Sequence, residues 1–155
     1  MMIRLGVLCF VVLLVSCDPN RVYEKNYSFK DDTWHVYDTK KFNFEIKDST
    51  QLYNLFVNIR NTTSYRYSNL YIFMNTTFPD NQMARDTIEI IVADPQGRWL
   101  GRGWGNYRVL KAPLGLNLQF GLTGKYTFEF EHAMRTQKLK HISDIGMRIE
   151  KTSNE

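Results

Sequence analysis

Apolar and polar residues alternate with a period of two over much of this chain. The alternation is clearest in residues 42–46, 88–92, 126–131 and 145–150. Successive side chains of a β-strand point to opposite faces of a sheet, so this pattern predicts antiparallel strands with one face in a core and the other in solvent.

Two further segments, 52–60 and 70–78, carry apolar residues at both odd and even positions. That pattern is typical of central strands covered on both sides, so we expect a layered sheet. Residues 132–141 lack alternation and predict either a helical turn or an excursion between the last two strands.

Turn residues separate the predicted strands. The clearest turn is Asp94-Pro95-Gln96-Gly97, where proline presets the second position and glycine suits the last. Weaker signals occur at 47–49, 61–64, 78–81 and 123–124. Many short strands without a long helix predict an all-β fold, an antiparallel β-sandwich of jelly-roll type in a single domain.

The N-terminus follows a different pattern. Arg4 precedes an apolar run over residues 5–15, and Ser16 and Cys17 follow. This predicts a lipoprotein signal peptide, residues 1–16, cleaved before an acylated Cys17 whose two or three acyl chains would hold the protein durably at a membrane. An ordinary secretory signal or an uncleaved anchor fits less well, because the run is too short to span a bilayer and the cysteine stands at the cleavage point.

The chain after the signal divides simply. The polar segment 17–26 predicts a lipidated N-terminus and tether, and 27–155 the sandwich domain. Cys9 lies in the signal and Cys17 would carry lipid, which leaves no thiol for a disulfide, for catalysis or for zinc. Stability is therefore expected to come from the apolar core.

Charge excludes one class of partner. The net charge is +4, and the basic residues do not form a run. Together with the export signal, this predicts no nucleic-acid partner.

The chain lacks a recognisable catalytic pattern. His35, His132 and His141 are far apart and predict exposed or hydrogen-bonding roles. Glu129 and Glu131 would share one strand face, as the paired carboxylates of a glycosidase can, but a solvated outer face explains the same alternation and is favoured. No catalytic residue, metal or cofactor is predicted, and the protein is expected not to be an enzyme.

Trp99 and Trp104 flank glycines in a turn-rich stretch that also holds Arg98 and Arg102. Such a loop would present aromatic and cationic groups to a glycan or a protein partner. Packing in the core is favoured for Trp99, whereas both interpretations stay open for Trp104.

Several segments make the chain recognisable. Residues 60–70, Asp86-Thr87-Ile88, 93–101 and 142–150 resemble segments of the gliding motility-associated lipoprotein H family, GldH. Trp34 with 42–46 is similar to the opening segment of that family, and the resemblance covers nearly the whole mature chain.

This resemblance implies a lipoprotein of the cell envelope, most simply the outer membrane, in gliding bacteria and their relatives. It implies a part in surface movement, a link to type IX secretion machinery, and no catalytic activity. The implied partners are the membrane, through the lipid, and other gliding or secretion proteins. The candidate partner-binding residues are Trp99, Arg102, Trp104, Arg60, Tyr65 and Arg135.

The matching segments also have physical interpretations. We expect Arg60 with Tyr65 and Tyr67 to clamp a loop between two strands, and Arg135 to pair with an acidic residue. Asp94–Gly97 is expected to fix a hairpin turn.

Two functions follow from these observations. The first is a non-enzymatic interaction subunit, which a flat apolar patch would favour. The second is a glycan-binding lipoprotein, which an exposed aromatic row beside Trp99 and Trp104 would favour. A hydrolase using Glu129 and Glu131 is a minor third. Thr87 and Ser49 also fit a short acceptor pattern for O-glycosylation.

Overall fold

The computed structural model describes residues 18–152, so the predicted signal peptide and Cys17 lie outside it. A short 3-10 turn at Lys30–Asp32 is the one helical element in this part of the chain. The strands are β1 (Arg21–Ser28), β2 (Thr33–His35), β3 (Lys40–Ile46), β4 (Leu52–Thr62), β5 (Asn69–Thr77), β6 (Met83–Ile91), β7 (Tyr107–Gln119), β8 (Gly124–His132), β9 (Lys138–Lys140) and β10 (Ile142–Lys151).

The strands form a jelly roll, as the sequence predicts. Strand β1 pairs with β10, β3 with β8, β4 with β7 and β5 with β6, all antiparallel, so the pairs are nested like a long hairpin. Successive pairs alternate between two sheets, whose orders are β1-β10-β4-β7 and β3-β8-β5-β6. This is a sandwich of two four-stranded sheets.

The core lies between these two sheets. Alternate residues of each central strand point inward, such as Val57 and Ile59 of β4, Phe130 of β8 and Met147 of β10, all fully buried. Because both inner faces are apolar, packing one on the other removes them from water, which is the main source of stability for residues 18–152, a part of the chain that contains no cysteine.

The two sides of the sandwich differ. At one side the edge strands β1 and β3 lie close together, and the Tyr27 hydroxyl donates to the Lys41 carbonyl at 2.5 Å. The rings of Tyr23 and Phe44 also pack there, 5.7 Å apart. At the other side, the segment 92–106 links β6 of one sheet to β7 of the other.

A small sheet covers one end of the core. Strands β2 and β9 pair through Trp34 and Leu139, both buried. The indole of Trp34 stacks on Phe29 at 4.9 Å and donates to the Asp38 carbonyl at 2.8 Å. This pairing explains the segment 132–141, which is an excursion between β8 and β10 that forms β9.

Some expectations need correction. Strands β4 and β5 are central in their sheets, but their outer residues are half-buried or exposed rather than covered by a third layer. Strand β1 begins at Arg21, inside the segment 17–26 predicted as a tether. Strand β7 contains Pro113 and Gly115, which weaken a strand pattern but are tolerated at a sheet edge.

No helix within residues 18–152 is both long enough and apolar enough to cross a bilayer.

Candidate functional site

The two ends of the sandwich carry different elements. Residues 18–20 lead into β1 at the end where β10 finishes, which we call the proximal end. Strand β4 runs from this end over 11 residues, about 33 Å at ~3.3 Å per residue. It finishes at the opposite, distal end, which the β2–β9 sheet covers.

The β4–β5 connection, residues 63–68, is a rigid part of the distal end. Tyr65 is buried there, and its hydroxyl donates to the Asn69 carbonyl at 2.9 Å. Burial raises the pKa of this phenol, so it stays a neutral donor. With Tyr65 fixed inward, its neighbours Arg66 and Tyr67 are directed to solvent.

The segment between β8 and β10 supplies the other cations. In β9, Leu139 points into the core, so the alternation of a strand directs Lys138 and Lys140 outward. The preceding residues 133–137 are held on β5, where the Ala133 amide donates to the Tyr71 carbonyl at 2.7 Å.

These two segments enclose what we call the cationic cleft, about 390 Å³ in volume. Its cations are Arg66, Lys138 and Lys140, with His141 beside them. None of the three is in an ion pair among residues 18–152. The cleft is lined by Arg66, Tyr67, Thr136, Lys138, Leu139, Lys140 and His141.

The backbone beside this cleft is strained. His141 has φ 72° and Asp32 has φ 48°, values that residues other than glycine adopt at a cost. The two are joined, since the His141 amide donates to the Asp32 carbonyl at 2.7 Å. The ring of His141 is fixed too, with Nδ1 3.1 Å from the Thr62 hydroxyl.

A second cleft, the aromatic cleft, adjoins the first across Tyr67. It measures about 530 Å³ and lies on the outer face of β5 and β6. Tyr67 is 46% exposed and Tyr71 37% exposed, and Arg135 is exposed beside them. The cleft is lined by Tyr67, Tyr71, Phe73, Thr87, Ala133, Met134 and Arg135.

Carboxylates border the aromatic cleft but are already engaged. Glu89 accepts from Asn69 Nδ2 at 2.6 Å, and its hydrogen bond to Tyr71 raises the pKa of that phenol. Glu131 pairs with Arg85 at 3.2 Å. The aromatic cleft, with its hydrogen-bonding groups, thus lies next to the cationic cleft.

The predicted clamp around Arg60 is wrong in its partners. Arg60 lies on the outer face of β4, pairs with Asp144 at 3.5 Å and stacks over the ring of Tyr107 at 4.4 Å. Tyr65 and Tyr67 instead contact each other, with ring centroids 5.5 Å apart.

Arg135 was expected to pair with an acidic residue, but it has no ion pair within residues 18–152. It lies instead in the aromatic cleft. The predicted turn at Asp94–Gly97 is confirmed, since the Gly97 amide donates to the Asp94 carbonyl at 2.9 Å.

The two tryptophans of the β6–β7 connection lie in different environments. Trp99 is half-buried and packs against the core, whereas Trp104 is 95% exposed. Arg102 forms a backbone bridge with Val109 of β7. Exposed aromatic rings thus occur in more than one place, with Tyr67 and Tyr71 in the aromatic cleft and Trp104 and Tyr107 at the β6–β7 connection, while Trp99 itself packs against the core.

The titratable groups considered for catalysis occupy ordinary structural positions. Glu129 pairs with Lys41 at 2.6 Å, and Glu131 with Arg85, both on the outer face of their sheet. His132 is buried, and burial lowers the pKa of its imidazole. Residues 18–152 hold no group of three potential metal-ligating His, Cys, Asp or Glu side chains.

The two O-glycosylation candidates lie in different settings. Thr87 is exposed and lines the aromatic cleft, and Ser49 is half-buried. Modification of either residue stays a prediction.

Sequence reasoning missed the cationic cleft. Its one local signal is the alternation of Lys138, Leu139 and Lys140, which marks a short strand with two outward lysines. Arg66 lies some seventy residues earlier in the chain, and no pattern in the sequence places it beside them.

The fold and these clefts define a class, a jelly-roll sandwich domain with open, solvent-facing clefts at one end. The particular family follows from comparison with known proteins. The model of the GldH lipoprotein family matches residues 21–149, and the chain belongs to this family.

Two relatives match over almost their full length. One, from Christiangramia forsetii, is called a gliding motility lipoprotein GldH homolog and is 38% identical, over 93% of this chain and 92% of its own. The other, the gliding motility lipoprotein GldH of Flavobacterium johnsoniae, is 32% identical over 90% of each chain. Membership of this family makes the protein a lipid-anchored protein of the cell envelope.

A structural comparison gives a weaker likeness. The crystal structure of dimeric latent PorU from Porphyromonas gingivalis aligns with a TM-score of 0.30 and 10% identity, over 85% of this chain and 13% of that one. The chain thus spans about an eighth of that protein.

Proposed function

We propose that this protein is a non-enzymatic component of the gliding motility machinery and the associated type IX secretion system, held at the outer membrane through lipid on Cys17. The observation that carries the proposal is the full-length match to two relatives named for gliding motility.

The geometry supports an anchored, outward-reaching domain. Asp18, next to Cys17, lies at the proximal end and is bonded to Arg148 of β10. A lipid on Cys17 would therefore keep the proximal end near the bilayer, with the distal clefts about 33 Å further out at ~3.3 Å per strand residue. Partner contacts are then expected at the distal end.

The main test is affinity purification of the tagged native protein from gently crosslinked membranes, with Cys17→Ala as the unanchored control. Motility or secretion proteins recovered with the native chain, but not with Cys17→Ala, would support the proposal. Recovery of the same partners from both would show that the lipid is not needed for assembly, and recovery of none would overturn the proposal.

A second test concerns the non-enzymatic role. Glu129 and Glu131 each form an ion pair with a basic side chain on the outer face of the sheet, which supports a structural role. Cells carrying Glu129→Ala together with Glu131→Ala should therefore glide at the normal speed. Loss of gliding with normal amounts of folded protein would reopen the hydrolase hypothesis.

A further inference from the structure

Four cations that form no ion pair among residues 18–152 lie at the distal end. Arg66, Lys138 and Lys140 line the cationic cleft, and Arg135 lies across Tyr67 in the aromatic cleft. Other cations of the described chain differ: Arg85, Lys111 and Arg148 are bonded to carboxylates, and unpaired ones such as Lys30, Lys47 and Lys125 line neither cleft. Clustered like charges repel one another, so a patch left unneutralised favours an anionic ligand.

The backbone that carries three of these cations is held in place before any ligand binds. Arg66 follows the buried Tyr65, and the two lysines flank the buried Leu139. A backbone fixed in advance loses less entropy on binding. The strained backbone at His141 and Asp32 shows that this end is held by its surroundings.

The adjoining aromatic surface narrows the ligand class. Tyr67 lines both clefts, and its exposed ring offers an apolar face beside the cations. A sugar ring can cover such a face with its C–H groups while its hydroxyls bond to polar neighbours, here Tyr71 and Thr87. The ligand should then carry negative charge at one point and hydroxyls at another.

A peptide ligand fits these clefts less well. The aromatic cleft lies over β5, a strand paired on one side with β6 and on the other with β8. The backbone groups of β5 are already used in the sheet, so an extended peptide could join the sheet only at the edge of β6, whose residues do not line the cationic cleft. An anionic membrane surface is also disfavoured, because a lipid on Cys17 would hold the proximal end near the bilayer and leave the clefts about 33 Å away from it at ~3.3 Å per strand residue.

We propose that the cationic and aromatic clefts together bind an acidic oligosaccharide, with its carboxylates between Arg66, Lys138 and Lys140 and a neighbouring sugar ring on Tyr67. This site is independent of the proposed motility role, and it differs from the Trp99–Trp104 loop considered from sequence.

The test uses the mature lipidated protein in micelles of a non-ionic detergent and isothermal titration calorimetry. The probes are hexamers of galacturonate, guluronate and mannuronate, with the methyl ester of the galacturonate hexamer as a matched ligand that lacks the charge. We expect at least one of the acid hexamers to bind, about tenfold more tightly than the uncharged methyl ester. Its affinity should fall as the salt concentration rises.

Matched variants locate the site. Lys138→Gln with Lys140→Gln should weaken binding about tenfold, and Tyr67→Ala about fivefold. Lys47→Gln with Lys125→Gln, an equal loss of charge at the proximal end, should change the affinity less than about twofold. Trp104→Ala should also have no effect. Far-UV circular dichroism would confirm that each variant is folded.

Three results would overturn the proposal. The first is that no acid hexamer binds, and the second is that the methyl ester binds as tightly as the acid. The third is that Lys47→Gln with Lys125→Gln weakens binding as much as Lys138→Gln with Lys140→Gln does. Two further probes, polyglutamate and phosphatidylglycerol vesicles, represent an acidic protein and an anionic lipid surface. Binding of either, without binding of the acid hexamers, would assign the clefts to a protein or to a lipid surface instead.

Discussion

At the residue scale, side chains of one type have opposite roles in this protein. Trp34 is fully buried under the β2–β9 sheet, while Trp104 is almost fully exposed in the β6–β7 connection. The free energy gained from an indole depends on the apolar area it removes from water, so the two should differ in their effect on stability.

Trp34→Ala should lower the free energy of unfolding by about 3–5 kcal/mol, because it leaves a cavity beside Phe29. Trp104→Ala should change it by less than about 0.5 kcal/mol. Urea denaturation followed by far-UV circular dichroism measures both. If Trp34→Ala does not fold, the smaller change Trp34→Phe should still cost more than Trp104→Ala, and the reverse order would contradict the assignment.

His132 makes stability depend on pH. Burial lowers its pKa below the ordinary 6.5, so the unfolded chain takes up a proton at that position before the folded one does. Stability from this group is therefore complete above pH 6.5 and falls as the pH decreases below it, by up to about 1.4 kcal/mol per pH unit.

Unfolding measured between pH 7.5 and 5 should show a shallower fall for His132→Phe than for the native chain. The control His35→Gln, at an exposed position, should keep most of the native slope, because burial lowers the pKa of His132 more than the charge of His35 does. Equal slopes for all three proteins would show that His132 is not the group responsible.

At the element scale, the contact of β1 with β10 depends on one glycine. A Cβ on Gly146 would overlap Asn26 Oδ1 and come within 2.9 Å of the Lys25 carbonyl oxygen. The Asn26 amide fills the space above Gly146, and its Oδ1 accepts from Asn58 Nδ2 at 3.2 Å. This arrangement joins β1, β10 and β4.

Gly146→Ala should destabilise the fold by about 1–3 kcal/mol, since a backbone oxygen cannot move aside as a side chain can. Gly121→Ala is the matched control, because nothing lies within 4 Å of its Cβ position. The control should be within about 0.5 kcal/mol of the native protein in thermal unfolding. A Gly146→Ala protein as stable as the control would mean that β1 tolerates a shift.

Arg148 ties the same strands by charge. Its guanidinium bonds to Glu24 at 2.6 Å, Glu150 at 2.5 Å and Asp18, and the side chain is only 14% exposed. Arg148→Met would remove the cation that the three carboxylates share, leaving Glu24 with Arg21 and Glu150 with Lys111 but Asp18 without an ion pair in residues 18–152, so we expect a loss of about 1–3 kcal/mol.

Lys41→Met provides the comparison. Lys41 pairs with Glu129 but is 56% exposed, and exposed pairs contribute under about 1 kcal/mol. In urea denaturation the Arg148 variant should lose clearly more stability than the Lys41 variant. Equal losses would indicate that solvent screens the Arg148 cluster as fully as the surface pair.

At the scale of the whole molecule, one core serves both sheets. The nested pairing brings together β1 with β10 and β3 with β8, strands that are far apart in the sequence. Neither sheet has a separate core, so the domain should unfold in a single cooperative transition. Pairing of such distant strands should also make folding slow, on the order of milliseconds to seconds.

Tryptophan fluorescence and far-UV circular dichroism should give coincident urea transitions. Two separated transitions would mean that one sheet, or the β2–β9 end, unfolds independently. A Trp104→Ala background leaves Trp34 and Trp99 as the reporters, which removes the exposed indole from the signal.

The sequence by itself determined the strand class, the sandwich and the Asp94–Gly97 turn. Alternation and turn chemistry are local properties, so residues two to four apart carry the whole signal. The lipid signal before Cys17 rests on a local pattern too, and it stays a prediction. The sequence did not predict strand β7, because Pro113 and Gly115 interrupt its alternation. A strand accepts these two residues when it lies at a sheet edge, and the sequence does not show that β7 does.

Tertiary structure alone decided which surface residues meet. Arg66 and Tyr67 reach Lys138, Lys140 and Arg135 only because β4, β5 and β9 all have an end at the same end of the sandwich. Period-two alternation says that each side chain faces outward, but not which outward residues of distant strands become neighbours. That depends on strand order and on how the two sheets pack, which is why the sequence led to the Trp99–Trp104 loop and the structure to the distal clefts.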